Sequence, residues 1–197
     1  MIIPILVSCL VSYVLGSYPT AYFIIRLFNN KNVFKNGDGN MGGTNVFFIS
    51  KSYTTAVITG LVDILKAYIA AALSTYFIGD IWIGTLISGA FSTLGHNYSV
   101  FKSFKGGKGA STTAGTILYF SPIMLLVSVL IFKAVSFVDK SYTIIKNEYE
   151  STIIRSVLVS TAFLIMLKEY LLHAVIFQGL NIIKYVTEKE TSKKYLF

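Results

Sequence analysis

The sequence predicts an all-α integral membrane protein, a polytopic helical bundle. Three observations carry that prediction. Only 13% of its 197 residues are charged and 54% are hydrophobic, whereas ordinary soluble domains carry about 25% charge. The charge-free runs Ile2–Ile25 and Gly109–Phe132 each exceed the roughly 20 residues that a spanning helix needs. Positive charge gathers between the apolar runs, with 17 Lys and Arg against 9 Asp and Glu. On such a chain a basic excess sets topology and meets anionic lipid; it is not a nucleic-acid footprint. The size suggests one membrane-embedded domain over residues 1–197.

The first span is expected from about Ile2 to Phe28, interrupted in composition by Gly16, Ser17 and Pro19. It lacks a basic n-region and a clear small-residue cleavage site, so a retained helix is expected, not a removed signal. Cys9 excludes an intramolecular disulfide and reads as a small core residue. Asn29–Ser52 is polar and glycine-rich. Tyr53–Ile78 is the second span, with Asp63 and Lys66 as i, i+3 neighbours near its middle. Intramembrane charges are costly, so this pair is expected to face the protein interior, and it reads as structural before catalytic. Gly79-Asp80 ends the span, and Ile81–Leu94 makes a third.

Gly109–Phe137 is apolar around Ser121-Pro122, which predicts either one kinked helix or a hairpin of two short ones. Asp139–Arg155 is a polar connector. Ser156–Tyr185 is apolar apart from Lys168, Glu169, His173 and Lys184, enough for one or two helices, and the tail Glu188–Phe197 is charged. His173 reads as structural. The loops at 29–52 and 102–108 carry three lysines each, whereas the turn between them offers only Asp80. The positive-inside rule therefore puts both basic loops in the cytoplasm and the N-terminus outside. A basic tail inside then requires five or seven spans.

The stretch that concentrates chemistry is Leu94–Thr113, LGHNYSVFKSFKGGKGASTT. Glycines 106, 107 and 109 permit a tight turn or close approach to a ligand. Lys102, Lys105 and Lys108 add positive charge, and a helix start follows; freed backbone N–H groups at such a place bind anions. A phosphate is the obvious anion. A basic loop that orients helices and meets lipid headgroups is the alternative reading of the same composition. Gly109, not Ser or Thr, follows Lys108, so this is no Walker A loop. Two histidines, one cysteine and no carboxylate cluster imply no metal and no cofactor. A His-x4-Asp thioester-using enzyme is disfavoured, because no acid follows His96 at that spacing.

Several segments, in order, resemble the PlsY family of bacterial membrane acyl-phosphate:glycerol-3-phosphate acyltransferases. They are Gly16-Ser17-Tyr18-Pro19, Gly39-Asn40-Met41-Gly42-Gly43-Thr44-Asn45, Val62-Asp63-Ile64-Leu65-Lys66, Gly95-His96-Asn97-Tyr98-Ser99-Val100-Phe101 and Phe104-Lys105-Gly106-Gly107-Lys108-Gly109. The resemblance runs from the first helix to about residue 113 and weakly on to Asn181-Ile182. It implies seven spans, N-terminus outside, with active-site loops on the cytoplasmic side of the bacterial cell membrane. It implies an acyl group passing from acyl phosphate to the 1-hydroxyl of glycerol 3-phosphate, with lysophosphatidic acid as product for phospholipid biosynthesis. Carried over by position, the resemblance assigns catalytic roles to Lys105, His96 and Asn181. It assigns substrate binding to Asn40, Gly42, Gly43, Thr44, Asn45, Asn97, Gly106, Gly107, Lys108, Gly109, Ser111 and Thr112; Asp38, beside them, is either a new substrate contact on the acceptor side or a solvated loop acid. Asn40, Thr44 and Asn45 also suit a simpler role as caps of a helix start.

The chain departs from the family pattern on the acceptor side. Gly37-Asp38-Gly39-Asn40 stands where the family reads Gly-Ser-Gly-Asn, and Phe48 where it carries Arg. The C-terminal motif is reduced to Gln178-Gly179-Leu180-Asn181-Ile182. A carboxylate at 38 would repel a phosphate dianion by ~1 kcal/mol or more at contact distance, and Phe48 offers no charged hydrogen bond. Two further expectations stand beside the default: an acyltransferase with another acceptor, and a lipid- or anion-binding or transporting membrane protein without chemistry.

Overall fold

The computed structural model describes residues 2–37, 39–142, 176 and 179–184. Asp38, His173, most of the expected Ser156–Tyr185 segment and the charged tail lie outside the described residues. Among the described residues all regular structure is helical: α1 Ile2–Ser17, α2 Thr20–Asn29, α3 Gly43–Ser50, α4 Tyr53–Ile78, α5 Ile81–Asn97, α6 Ala110–Phe120 and α7 Pro122–Tyr142. The chain forms two compact units, Met1–Phe120 and Ser121–Phe197. The first contains α1–α6.

The expected first span is two helices, not one. Pro19 has no N–H to continue the ladder, and it stands as the residue before α2 with φ −86° and ψ 68°. The break leaves the last carbonyls of α1 without helical partners. Side chains from elsewhere reach the break: the Ser99 hydroxyl donates to Ser17 O, and Lys66 Nζ donates at 3.0 Å to Tyr18 O, just past the helix, which also accepts from Thr20 N at 3.0 Å. A second proline at 122 interrupts Gly109–Phe137 as expected, since α6 ends at Phe120 and α7 starts at Pro122. Gly79-Asp80 acts as read: Gly79 closes α4 at φ 76° and Asp80 Oδ1 accepts from Ile83 N at 2.8 Å to open α5.

Within the first unit α1 and α4 each pack on α5, α1 packs on α4, and α6 packs on α4. The contacts are close because small residues line them. A methyl group at Gly16 would collide with the backbone of Ser92, and one at Gly95 with the Tyr13 carbonyl. Ser8, Ser12, Ser74, Ser88 and Ser92 are buried, with Ser12 Oγ 3.0 Å from Ser74 Oγ. Leu6, Leu10, Val14, Leu61 and Leu65 are exposed instead. Small polar residues between helices and large apolar ones outside is the arrangement that lipid selects, because lipid already solvates leucine. Ile2–Asn29 and Tyr53–Ile78 are long and apolar enough to cross a bilayer, whereas the apolar stretch Pro122–Ala134 is shorter.

The segment between α2 and α4, read as a polar loop, contains α3. An apolar cluster of Ala21, Ile25, Val33, Met41, Val46 and Ile49 fills the space between α2, the intervening loop and α3. This cluster holds the 39–45 motif in place.

Candidate functional site

The site assembles where α5 ends. Tyr98 N still bonds to Leu94 O at 2.8 Å, and a 3-10 turn over Val100–Lys102 then reverses the chain. Lys102 and Phe104 N–H groups both donate to Ser99 O. Ser103 and Phe104 adopt left-handed backbone, with φ 51° and 59°. The returning strand of the loop is stitched to the helix end by Gly107 N donating to His96 O at 2.9 Å. Gly109, at φ 82°, turns the chain into α6, whose first-turn bond runs from Thr113 N to Gly109 O at 2.9 Å.

The glycines are required by proximity. A Cβ on Gly106 would overlap the His96 and Asn97 carbonyls, and one on Gly107 would overlap His96 Nε2. The loop backbone therefore lies directly on the imidazole. His96 and Asn97 are buried, as are Gly106, Gly107 and Gly109. Lys108 is half-buried and Lys105 exposed. Lys102 stands apart, its Nζ 3.2 Å from the Tyr22 ring centroid, a cation–π contact that occupies it.

The second motif reaches the same place. Met41 N donates to Gly106 O at 3.2 Å, joining the 39–45 segment to the glycine loop. Asn40 is buried, and its Oδ1 accepts from Gly42 N at 2.8 Å, an Asx turn leading into α3. Asn45 is fully buried and donates through Nδ2 to Asn40 O at 2.7 Å and Val33 O at 3.3 Å. These amides hold the segment, but none of them caps α3, which starts without a side-chain cap bond. Gly42 is the N-cap of α3, and Gly43 and Thr44 occupy its first turn, Thr44 exposed. Thr112 donates to Gly109 O at 2.8 Å, a local role, while Ser111 is half-buried and lies toward Gly60 of α4. Asn181 lies in the helical residues 179–184 of the second unit.

Beneath His96 lies a charged cluster that sequence alone placed lower. Lys66 Nζ is 2.8 Å from Asp63 Oδ1, 3.1 Å from His96 Nδ1 and 3.0 Å from Tyr18 O. Thr20 Oγ1 donates to the same Asp63 oxygen at 2.9 Å. Lys66 is 7% and Asp63 2% exposed, so each charge depends on the other: removing one partner of such a pair costs about 3–5 kcal/mol. The i, i+3 spacing predicted the ion pair. Its junction with His96, on another helix, had no signature in the sequence.

Phe48 is exposed on α3, 6.0 Å from the Phe47 ring. Lys51 Nζ lies 5.9 Å from its ring centroid. A cation thus stands beside Phe48, supplied three residues later in the chain.

Together these features define a class: a helical bundle of membrane type with a buried glycine loop, flanked by lysines, closing one end of its first unit. A family model described as glycerol-3-phosphate acyltransferase matches residues 6–193. The chain belongs to the glycerol-3-phosphate acyltransferase family. It is 37% identical over 133 residues to the glycerol-3-phosphate acyltransferase of Limosilactobacillus reuteri (strain DSM 20016), a match spanning 67% of this chain and 63% of that protein. It is 35% identical over 143 residues to that of Staphylococcus saprophyticus, covering 69% of this chain and 70% of the relative. Among solved structures, its fold is similar to PlsY, an integral membrane glycerol 3-phosphate acyltransferase, in its glycerol 3-phosphate form: TM-score 0.75, 28% identity, 98% of this chain and 92% of that one. The lysophosphatidic acid form of PlsY gives a TM-score of 0.70 at the same identity.

Proposed function

We propose that the chain transfers an acyl group from acyl phosphate to the 1-hydroxyl of glycerol 3-phosphate, forming lysophosphatidic acid for phospholipid synthesis. The observation that carries this reading is the junction of the two motif loops, in which Met41 N–H bonds the Gly106 carbonyl directly. A donor and an acceptor phosphate held on two loops in contact would meet there. Family membership and the likeness to PlsY with glycerol 3-phosphate and with lysophosphatidic acid support the same assignment.

The chemistry asks little covalent work of the protein. Acyl phosphate is a mixed anhydride, already activated. The acceptor hydroxyl attacks the carbonyl carbon, the carbonyl–phosphate C–O bond breaks, and the hydroxyl proton leaves with the phosphate. Positioning of the two reactants supplies roughly 7–11 kcal/mol of such a barrier. Lys105 and Lys108 carry the phosphate charge, and the N–H groups of the glycine loop and of the first turn of α6 meet its oxygens. His96 and Asn97 form the floor of the loop, and Asn181 is the family's third-motif residue. Asp38 is assigned to the acceptor side with Asn40 and Thr44, and Lys51 serves there in place of the Arg absent at position 48.

A site in the bilayer lets the acyl chain stay among apolar side chains while its head meets the loops. The protein accordingly spans the bacterial cell membrane several times, seven by family likeness, N-terminus outside and both basic loops cytoplasmic. The test is purified protein in lipid vesicles with palmitoyl phosphate and a panel of acceptors, reading phosphate release. Release that depends on glycerol 3-phosphate is expected. Release that follows glycerol or another hydroxyl instead would favour the second reading, an acyltransferase with a different acceptor, which Phe48 motivates.

A further inference from the structure

Lys66 is buried in the middle of α4, away from the loops that meet substrate, yet its three contacts form a complete set. A lysine ammonium has three protons and no acceptor site. Its partners here are Asp63 Oδ1 at 2.8 Å, Tyr18 O at 3.0 Å and His96 Nδ1 at 3.1 Å. The first two accept by nature, so the third proton points at the imidazole. Were Lys66 a neutral amine, the Asp63 carboxylate would be left without its cation in a site where both residues are buried, an arrangement that is strongly unfavourable. Nδ1 cannot instead donate to Asp63, whose Oδ1 is 3.8 Å away, beyond hydrogen-bond length.

An imidazole whose Nδ1 accepts carries its proton on Nε2. That nitrogen is the one against Gly107, where a Cβ would overlap it. The two ends of the ring thus face different worlds: the buried ion pair below and the glycine loop above. We propose that Lys66, anchored by Asp63 and the Tyr18 carbonyl, is a positioning residue that holds His96 as the neutral Nε2–H tautomer with its proton toward the glycine loop. His96 then serves as a fixed hydrogen-bond donor and not as a proton acceptor. This rests on the reading of the glycine loop as the phosphate site. It deepens that reading: the donor's anionic oxygens meet an N–H at the loop floor.

Nitrogen-15 histidine spectra of the full chain in lipid nanodiscs test this without turnover, with the His96 signals assigned by their loss in His96→Asn. The expected wild-type result is an unprotonated Nδ1 and a protonated Nε2, well separated in shift. An Nδ1–H tautomer or an imidazolium overturns the proposal. In Lys66→Met the two nitrogens should move toward averaged tautomers, and kcat should fall about tenfold to a hundredfold while KM for acyl phosphate holds, as for a misplaced group. Lys66→Arg, which keeps the cation and its donors, should retain the Nε2–H signature. A Lys66→Met spectrum identical to wild type overturns the positioning role, and the wild-type spectrum decides the tautomer even if that variant fails to fold. An inactive protein with the expected tautomer counts against the proposed function alone, and an active one with Nδ1–H against the positioning alone.

Discussion

Met41 N–H donates to the Gly106 carbonyl at 3.2 Å, a contact between segments separated by three α-helices and more than sixty positions. Through it the turn before α3 and the loop before α6 share one backbone surface. The first prediction follows from the packing of the loop before α6 on the end of α5.

Gly107→Ala places a methyl group on His96 Nε2. Overpacking of this kind costs about 1–3 kcal/mol, and the loop must move away from the imidazole. Phosphate release should fall by at least tenfold, since that much misplacement is worth more than 1.4 kcal/mol at the barrier. Gly60→Ala is the comparison, because a Cβ there meets only Ser111 Oγ at 3.9 Å. It should raise helix stability by up to about 1 kcal/mol. Thermal melting in detergent, alongside activity, separates the two; equal activity in both would contradict the close packing of loop on histidine.

Lys108→Ala removes a cation beside the loop and should lower phosphate release tenfold or more, as expected for the loss of a charged hydrogen bond of about 1.5–3 kcal/mol. Lys102→Ala should change it little, since that ammonium already lies over Tyr22. Melting temperatures near wild type would show that neither effect comes from unfolding. Full activity in both Lys105→Ala and Lys108→Ala would remove the loop from the donor site.

The glycine loop was legible in the sequence because its chemistry lies in residue types at fixed spacing: Lys105, Gly106, Gly107, Lys108. The interruption at Gly16-Ser17-Tyr18-Pro19 was legible too, but not its consequence. A broken helix takes the Tyr18 carbonyl out of the regular ladder, and only the tertiary fold brings Lys66 to it beside Thr20 N. The contact of Lys66 with His96 joins different helices thirty positions apart, and no periodicity encodes such a pairing. Helix α3 was missed for another reason: eight residues, Gly43–Ser50, are too few for an amphipathic pattern, and its neighbours read as polar loop. Nor does the sequence show that the Asn45 amide nitrogen bonds the Asn40 and Val33 carbonyls, which lie five and twelve positions before it.

Topology gives an independent check. In a Cys9→Ser background, cysteines at Lys35 and Lys105 should both be shielded from an impermeant thiol reagent in intact cells, and a cysteine at Asp80 should label. Labelling at 35 with protection at 105 would separate two loops that the Met41–Gly106 bond holds together.

On the acceptor side, Lys51 should carry the charge that Phe48 lacks. Lys51→Ala is expected to raise KM for glycerol 3-phosphate tenfold or more, with KM for acyl phosphate unchanged, for the loss of an ion pair of about 1.5–3 kcal/mol. Phe48→Arg in that background should restore it. An unchanged KM in Lys51→Ala would leave the acceptor phosphate to other groups.

The most direct measurement follows both products of one reaction. Vesicles containing the purified chain, palmitoyl phosphate and glycerol 3-phosphate should yield phosphate and lysophosphatidic acid in equal amounts, and Lys108→Ala should lower both together. Phosphate release without lysophosphatidic acid, or release indifferent to glycerol 3-phosphate, would contradict acyl transfer at this site.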